Sequence, residues 1–86
     1  MYQVRLSRPV LKALDRLPQH DYLRLKQAID SLTENPRPLG IEPVKSTPFQ
    51  RIRVGAYRIV YQIDDHERII IIVRIARRTE RTYKGL

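Results

Sequence analysis

The chain has no cysteine, which excludes disulfide cross-links, cysteine-based zinc centres and thiol nucleophiles, so packing or a partner must hold the small fold together. Two histidines cannot build a metal site without help from carboxylates, and no cofactor motif stands in for one. Long hydrophobic runs are missing too. The longest, Ile69 to Val73, falls far below the ~18–20 residues of a membrane span, and residues 1–20 carry charges where a signal peptide needs an apolar stretch. The expectation is a cytoplasmic protein with no membrane contact. Its 86 residues leave room for one core, hence a single domain over 1–86, and 42% hydrophobic with 30% charged residues suits a globular chain better than a disordered one.

What the chain does have is positive charge. Seventeen Lys and Arg oppose nine Asp and Glu, a formal charge of +8, and this points first to a polyanionic partner. Thirteen of the seventeen are arginine. Guanidinium groups clamp phosphates bidentately and stack on bases, whereas lysine acts as a point charge, so solubility alone does not account for the bias.

Tyr2, Val4 and Leu6 alternate with Gln3 and Arg5 as in a half-buried strand. Ser7 reads as a helix cap, Pro9 fits a first helical turn, and Val10, Leu11, Leu14 and Leu17 form an apolar stripe that ends at Pro18. A second helix carries Tyr22, Leu25, Ala28 or Ile29 and Leu32, and ends before Asn35-Pro36. Four of the six prolines lie between positions 36 and 48, so residues 36–50 read as a crossing loop without a regular element.

Two alternating runs follow, Arg51 to Val54 and Tyr57 to Ile63, joined by Gly55-Ala56 as in a type II′ hairpin. With Val54 opposite Tyr57, Arg53 faces Arg58 and Ile52 faces Ile59. One face then shows Arg51, Arg53 and Arg58, and the other shows Ile52, Val54, Tyr57, Ile59, Tyr61 and Ile63. The last strand, Ile69 to Ala76, is apolar enough to be central. Its purely apolar set, Ile69, Ile71, Val73 and Ile75, is expected on the helix-covered face, with Ile70, Ile72, Arg74 and Arg78 on the arginine face. The turn around Asp64 to Glu67 then needs an odd number of loop residues.

Directly opposed arginines on a sheet repel unless something negative lies between them. One reading is a solvated edge that blunts aggregation; the other is a phosphate clamp for RNA. RNA cleavage without a metal uses the 2′-hydroxyl as nucleophile, so a site must remove its proton, stabilise charge on the phosphorane and protonate the leaving 5′-oxygen. Arginines suit the middle task alone. Proton-transfer candidates are Tyr83, then Lys45, Glu80 and Lys84, and the two histidines; His20 at the start of the second helix and His66 in a turn are expected away from the arginine face. Tyr22, Tyr57 and Tyr61 are core by spacing.

Asn35-Pro36-Arg37-Pro38, Lys45 and above all the run Arg51-Ile52-Arg53-Val54-Gly55-Ala56-Tyr57-Arg58-Ile59-Val60-Tyr61 closely resemble the RelE/ParE superfamily of toxin–antitoxin systems, the RelE branch in particular. The resemblance implies a small ribonuclease that cuts messenger in the ribosomal A site and is neutralised by a cognate antitoxin. Its partners would be that antitoxin, the 70S ribosome and mRNA, with operator DNA reached only through the antitoxin. It implies site roles as well: Arg58, as an exposed phosphate ligand, and Arg78 stabilise the phosphorane, Arg51 and Arg53 hold flanking phosphates, and Tyr83 stacks on or helps deprotonate the nucleotide. Lys45, Arg74, Arg77, Arg81 and Lys84 are the accompanying RNA contacts. Two positions depart from the family pattern, Ala56 where aspartate is common and the absence of a histidine before Arg78. The expected fold is α+β, two N-terminal helices on one face of a mainly antiparallel four-stranded sheet. The alternative function is a non-catalytic ParE-like toxin or an inactive antitoxin-binding corepressor module.

Overall fold

The computed structural model of the chain describes residues 1–77. Its first strand follows the alternation: β1 (Gln3–Leu6) packs Val4 and Leu6 against the core, with Tyr2 just ahead, and exposes Gln3 and Arg5. Ser7 starts α1 (Arg8–Asp15) by accepting the Val10 N–H at 3.4 Å, and Pro9 occupies the first turn, where its missing N–H has no helical partner to lose. Val10 and Leu14 form the buried face of α1. After Pro18, α2 (Gln19–Glu34) buries Leu25, Ile29 and Leu32; it stops at Asn35, which the following proline holds in an extended conformation.

The remaining strands are β2 (Glu42–Pro43), β3 (Gln50–Val54), β4 (Tyr57–Asp64) and β5 (Ile69–Arg77), and the sheet order is β1-β5-β4-β3-β2. β1 runs parallel to β5; all other neighbours are antiparallel. The helices cover one face, where Val10, Leu14, Leu25, Ile29 and Leu32 meet Ile52, Tyr57, Ile59, Tyr61, Ile70 and Ile72. The α+β expectation holds, with β5 in the interior of the sheet.

Two expectations are corrected. The proline-rich stretch does contain a strand, because Glu42 pairs with Arg51 and Pro43 with Gln50, giving the sheet five strands instead of four. Proline is tolerated there because β2 is an edge strand, with no outer neighbour to receive the missing N–H.

The second correction concerns β5. Tyr61 pairs with Ile72 but Val60 pairs with Arg74, so Val73 is an extra residue, a bulge that reverses the alternation partway along the strand. Before it, Ile70 and Ile72 point into the core with 0% exposure while Ile69 and Ile71 are half-buried on the outer face; beyond it, Ile75 packs inward and Arg74 outward. The assignments of Arg74 and Ile75 stand, those of Ile69 to Ile72 are inverted, and the turn has four residues, 65–68, instead of an odd number.

Polar ties fasten the loops to this frame. The Tyr61 hydroxyl donates to the Pro36 carbonyl at 2.8 Å, and burial pushes its pKa up to about 12. At the surface, Arg37 grips Asp65 through two hydrogen bonds of 3.1 and 2.8 Å, and the Tyr2 hydroxyl donates to the same carboxylate at 2.6 Å, which ties β1, the β4–β5 turn and the loop after α2 together. The Arg37 guanidinium, then the Tyr2 hydroxyl, hold the Asp65 carboxyl down at about 2.

The inverted register gives a direct expectation. Ile72→Ala should cost ~2–5 kcal/mol, as core truncations do, whereas Ile71→Ala should cost less than half as much, measured by urea unfolding; equal or reversed costs contradict the bulge. A second expectation concerns acid. Because Asp65 titrates below its ordinary value of ~4, its contribution to stability is present above that pH and is lost as pH falls towards 2. Asp65→Asn should therefore be less stable than the parent at neutral pH, and the gap should close across that window in unfolding curves taken at several pH values.

Candidate functional site

The outer face of the sheet is organised by the turn between β3 and β4. Gly55 has φ +60° and Ala56 does not share the left-handed conformation, as a type II′ turn requires. A side chain at Gly55 would meet the Arg24 guanidinium, whose Nη1 lies 2.9 Å from the place a Cβ would take. Glycine is thus needed for the backbone conformation, while the Arg24 guanidinium, the end of a flexible side chain, fills the space beside it. On the inner side, the Tyr57 hydroxyl donates to Asp21 Oδ2 at 3.1 Å, a second tie between the hairpin and α2, and burial first, then Asp21, raises its pKa.

With the turn fixed, the expected pairing is realised: Val54 faces Tyr57, Arg53 faces Arg58 and Ile52 faces Ile59. The outer face then carries two neighbouring cross-strand rows. One runs Glu42, Arg51, Val60, Arg74; the other runs Arg53, Arg58, Ala76. Arg53 and Arg74 are exposed, and Arg51 is half-buried. Arg58 differs from its expectation as an exposed ligand, being only 5% exposed and the single buried charged residue among those described.

Arg51 reaches towards Glu42, with Nη2 3.9 Å from Oε2, while its Nε is buried and hydrogen-bonds to nothing among the described residues. That leaves donor capacity on Arg51 that the fold does not use. Glu42 is the residue sequence reasoning missed. It sits in the stretch read as irregular loop, and only the β2–β3 pairing brings it onto the arginine face. Arg5 is a second addition, since its pairing with Ile71 puts it on the same outer face; the Gln3/Arg5 alternation signalled an outward side chain, but not which strand lies beside it.

Other expectations fare differently. Arg77 pairs with Tyr57 and so shares the helix-side face, which takes it off the arginine surface by register, and its charge works against the rise in the Tyr57 pKa. Lys45 is exposed in the turn after β2, three positions on from Glu42 and at the opposite end of β3 from the Gly55 turn. His20 and His66 are exposed at the start of α2 and in the β4–β5 turn, away from both rows. Tyr57 and Tyr61 lie in the core, and Tyr22 packs against it. Arg78, Glu80, Arg81, Tyr83 and Lys84 lie outside the described residues.

The rows can bind phosphate from several directions and can offer one carboxylate, Glu42, as a proton acceptor beside the bound group. Asp64, the other carboxylate facing this side from the strands, is engaged in the β4–β5 turn, where its Oδ1 accepts the Glu67 N–H at 2.9 Å.

Residues 4–82 match the family described as the ParE toxin of type II toxin–antitoxin systems. A curated relative from Methanocaldococcus jannaschii, named as toxin RelE1, is 37% identical over an alignment of 88 positions that covers 98% of this chain and 97% of the relative. Among solved structures, the archaeal RelE–RelB complex from Pyrococcus horikoshii superposes with a TM-score of 0.83 at 28% identity, covering 92% of this chain and 97% of the other. The RelBE2 toxin–antitoxin complex from Mycobacterium tuberculosis gives 0.80 at 25% identity, covering 90% and 98%. With nearly the whole chain matched in sequence and in fold, this protein belongs to the RelE/ParE superfamily of type II toxins.

Proposed function

We propose that this toxin is a ribosome-dependent endoribonuclease that cleaves messenger RNA without a metal ion and is held inactive by a cognate antitoxin. The observation that carries the reading is the pair of cross-strand rows on the face opposite the helices, which set Arg51, Arg53, Arg58 and Arg74 around one patch with Glu42 at its edge. In the reaction the 2′-oxygen attacks phosphorus, the bond to the 5′-oxygen breaks, that oxygen takes a proton from solvent, and the products are a cyclic phosphate and a 5′-hydroxyl. Arg53 and Arg74 hold flanking phosphates from the surface. Arg51 and Arg58 lie deeper, where reduced solvent strengthens their pull on the extra phosphorane charge. Glu42 accepts the 2′-hydroxyl proton, and Arg78 and Tyr83 keep the roles that the family resemblance implies. The antitoxin partner rests on the relatives whose structures contain RelB.

The ribosome enters through geometry. A single strand in solution rarely places its 2′-oxygen in line with the scissile phosphate, and holding it there can supply several kcal/mol of barrier lowering. The protein should therefore bind free RNA but hardly cut it. A second reading, a non-catalytic toxin that blocks a protein target, draws support from the match to the ParE family.

Mapping messenger 5′ ends after induction without antitoxin separates the two. Cuts within translated codons support the nuclease; intact messenger with a DNA-damage response supports the blocker. In purified form, Glu42→Gln should slow cleavage on programmed ribosomes by ~100-fold or more while ribosome binding is retained, the size expected for a lost proton acceptor. An unchanged rate removes Glu42 from the mechanism, and efficient cutting of naked RNA by the parent protein removes the ribosome from it.

A further inference from the structure

A groove follows the free edge of β3, where the sheet meets α2. β2 pairs with β3 only at Gln50 and Arg51, so from Ile52 to Val54 this edge has no neighbouring strand. The groove measures about 570 Å³, a size typical of small-ligand sites, which run from ~300 to 1,000 Å³. Ala28, Leu32, Ile52 and Val54 give it an apolar lining. Leu39 also borders it and is the most exposed large hydrophobic residue among those described.

Two arginines, Arg24 and Arg53, line the same groove. Both are exposed, and neither forms an ion pair with a described residue. The Arg24 guanidinium rests against the turn, with Nη1, Cζ and Nε 2.9, 3.2 and 3.5 Å from the place a Cβ of Gly55 would take. Arg53 belongs as well to the outer row that it forms with Arg58 and Ala76, so the groove is continuous with the arginine patch. Two polar side chains on its wall have capacity to spare. Asn35 accepts the Arg37 N–H at 3.2 Å through Oδ1, and no described residue takes its amide N–H donors. Ser31 donates to the Gln27 carbonyl at 3.0 Å, which leaves its oxygen free to accept.

We infer that this groove is a base-binding subsite for a messenger nucleotide flanking the cleaved bond, with the phosphate between Arg24 and Arg53, the base against the apolar lining and Leu39, and the polar edge of the base towards Asn35 and Ser31. This rests on the nuclease reading above and names where on the chain sequence preference in cleavage arises. Phosphate contacts, which the arginine rows supply, position a strand but carry no sequence information. A base is read by packing its faces and hydrogen-bonding its edge, and the groove offers both. A peptide adding as a strand fits less well. In a two-residue hairpin Val54 and Tyr57 form the hydrogen-bonded pair, so between β2 and the turn alternation points the main-chain groups of Arg53 alone at the open edge, too few to fix a strand.

The test measures cleavage on programmed ribosomes with messengers from which the base is removed at one position at a time around the cut. The parent protein should lose about tenfold or more in kcat/KM at one such position. Ala28→Leu, which fills the groove, and Leu39→Ser, which changes an exposed side chain, should lose activity on the intact messenger and lose nothing further when that same base is missing. Unfolding curves show whether each variant keeps the fold, and Leu39→Ser decides the matter if Ala28→Leu does not. Arg24→Gln should weaken binding to single-stranded RNA, with a salt dependence shallower by about one charge; an unchanged slope overturns the phosphate position. A parent protein indifferent to every missing base, or variant losses that simply add to those of the missing base, overturns the subsite and leaves the nuclease reading standing. Unchanged cleavage by both variants together with weakened antitoxin binding overturns it in favour of a peptide groove. If the parent protein makes no cut at all, the nuclease reading falls and takes this subsite with it.

Discussion

The turn at Gly55-Ala56 is the constraint on which the outer face depends. It must reverse the chain in two residues, in the twist that a sheet accepts, with the Arg24 guanidinium packed against the missing side chain. Once it forms, the pairing of β3 with β4 has no freedom. A slip of one residue would turn one of the two strands over, sending Ile52 into solvent and Arg53 into the core, or Ile59 into solvent and Arg58 into the core. The apolar layer therefore enforces an arrangement that electrostatics alone would reject, two arginines directly opposite one another. Core packing supplies the stability that holds the two guanidinium-bearing positions opposite one another.

The same logic explains the bulge at Val73. β5 is so rich in isoleucine that either face of it could be buried, and hydrophobic alternation does not decide between them. What decides is the partner strand: Tyr61 needs an inward neighbour at Ile72 and Val60 an outward one at Arg74, and both are met only if one residue is left out of the ladder. Without that extra residue, Arg74 would follow Ile70 and Ile72 into the core. The bulge lets one strand serve the helices at one end and the arginine surface at the other.

This also accounts for how much of the fold is legible in the amino-acid sequence. Periods of 3–4 and of 2 are clear in α1, α2, β1, β3 and β4, and the glycine-first turn sets the β3–β4 register, so alternation and turn chemistry suffice to put Arg53 opposite Arg58. The face of Ile69 to Ile72 is not legible in this way, since a run in which both alternating sets are apolar carries no information about direction. Glu42 is hidden for a different reason. A two-residue edge strand containing proline has no periodic signature, and it exists only because β3 offers an open edge beside it. The burial of Arg58 is out of reach as well, because alternation assigns a side chain to a face without saying how deeply that face is covered.

The balance of charge on the outer face bears on why such a protein would need a large partner. Arginines hold and polarise a phosphate, but they do not move protons, and the buried tyrosines are no substitute. Tyr57 and Tyr61 face the helices, and both hydroxyls titrate above their ordinary value, which keeps them protonated at any physiological pH. Among the described strand residues the carboxylates on that face are Asp64, tied into the β4–β5 turn, and Glu42, at an exposed edge where water competes with it. On the nuclease reading, a face with strong charge stabilisation and few proton acceptors among the described residues gains most from a substrate already held in the reactive shape. A free strand does not meet that condition; a strand fixed by surrounding RNA does.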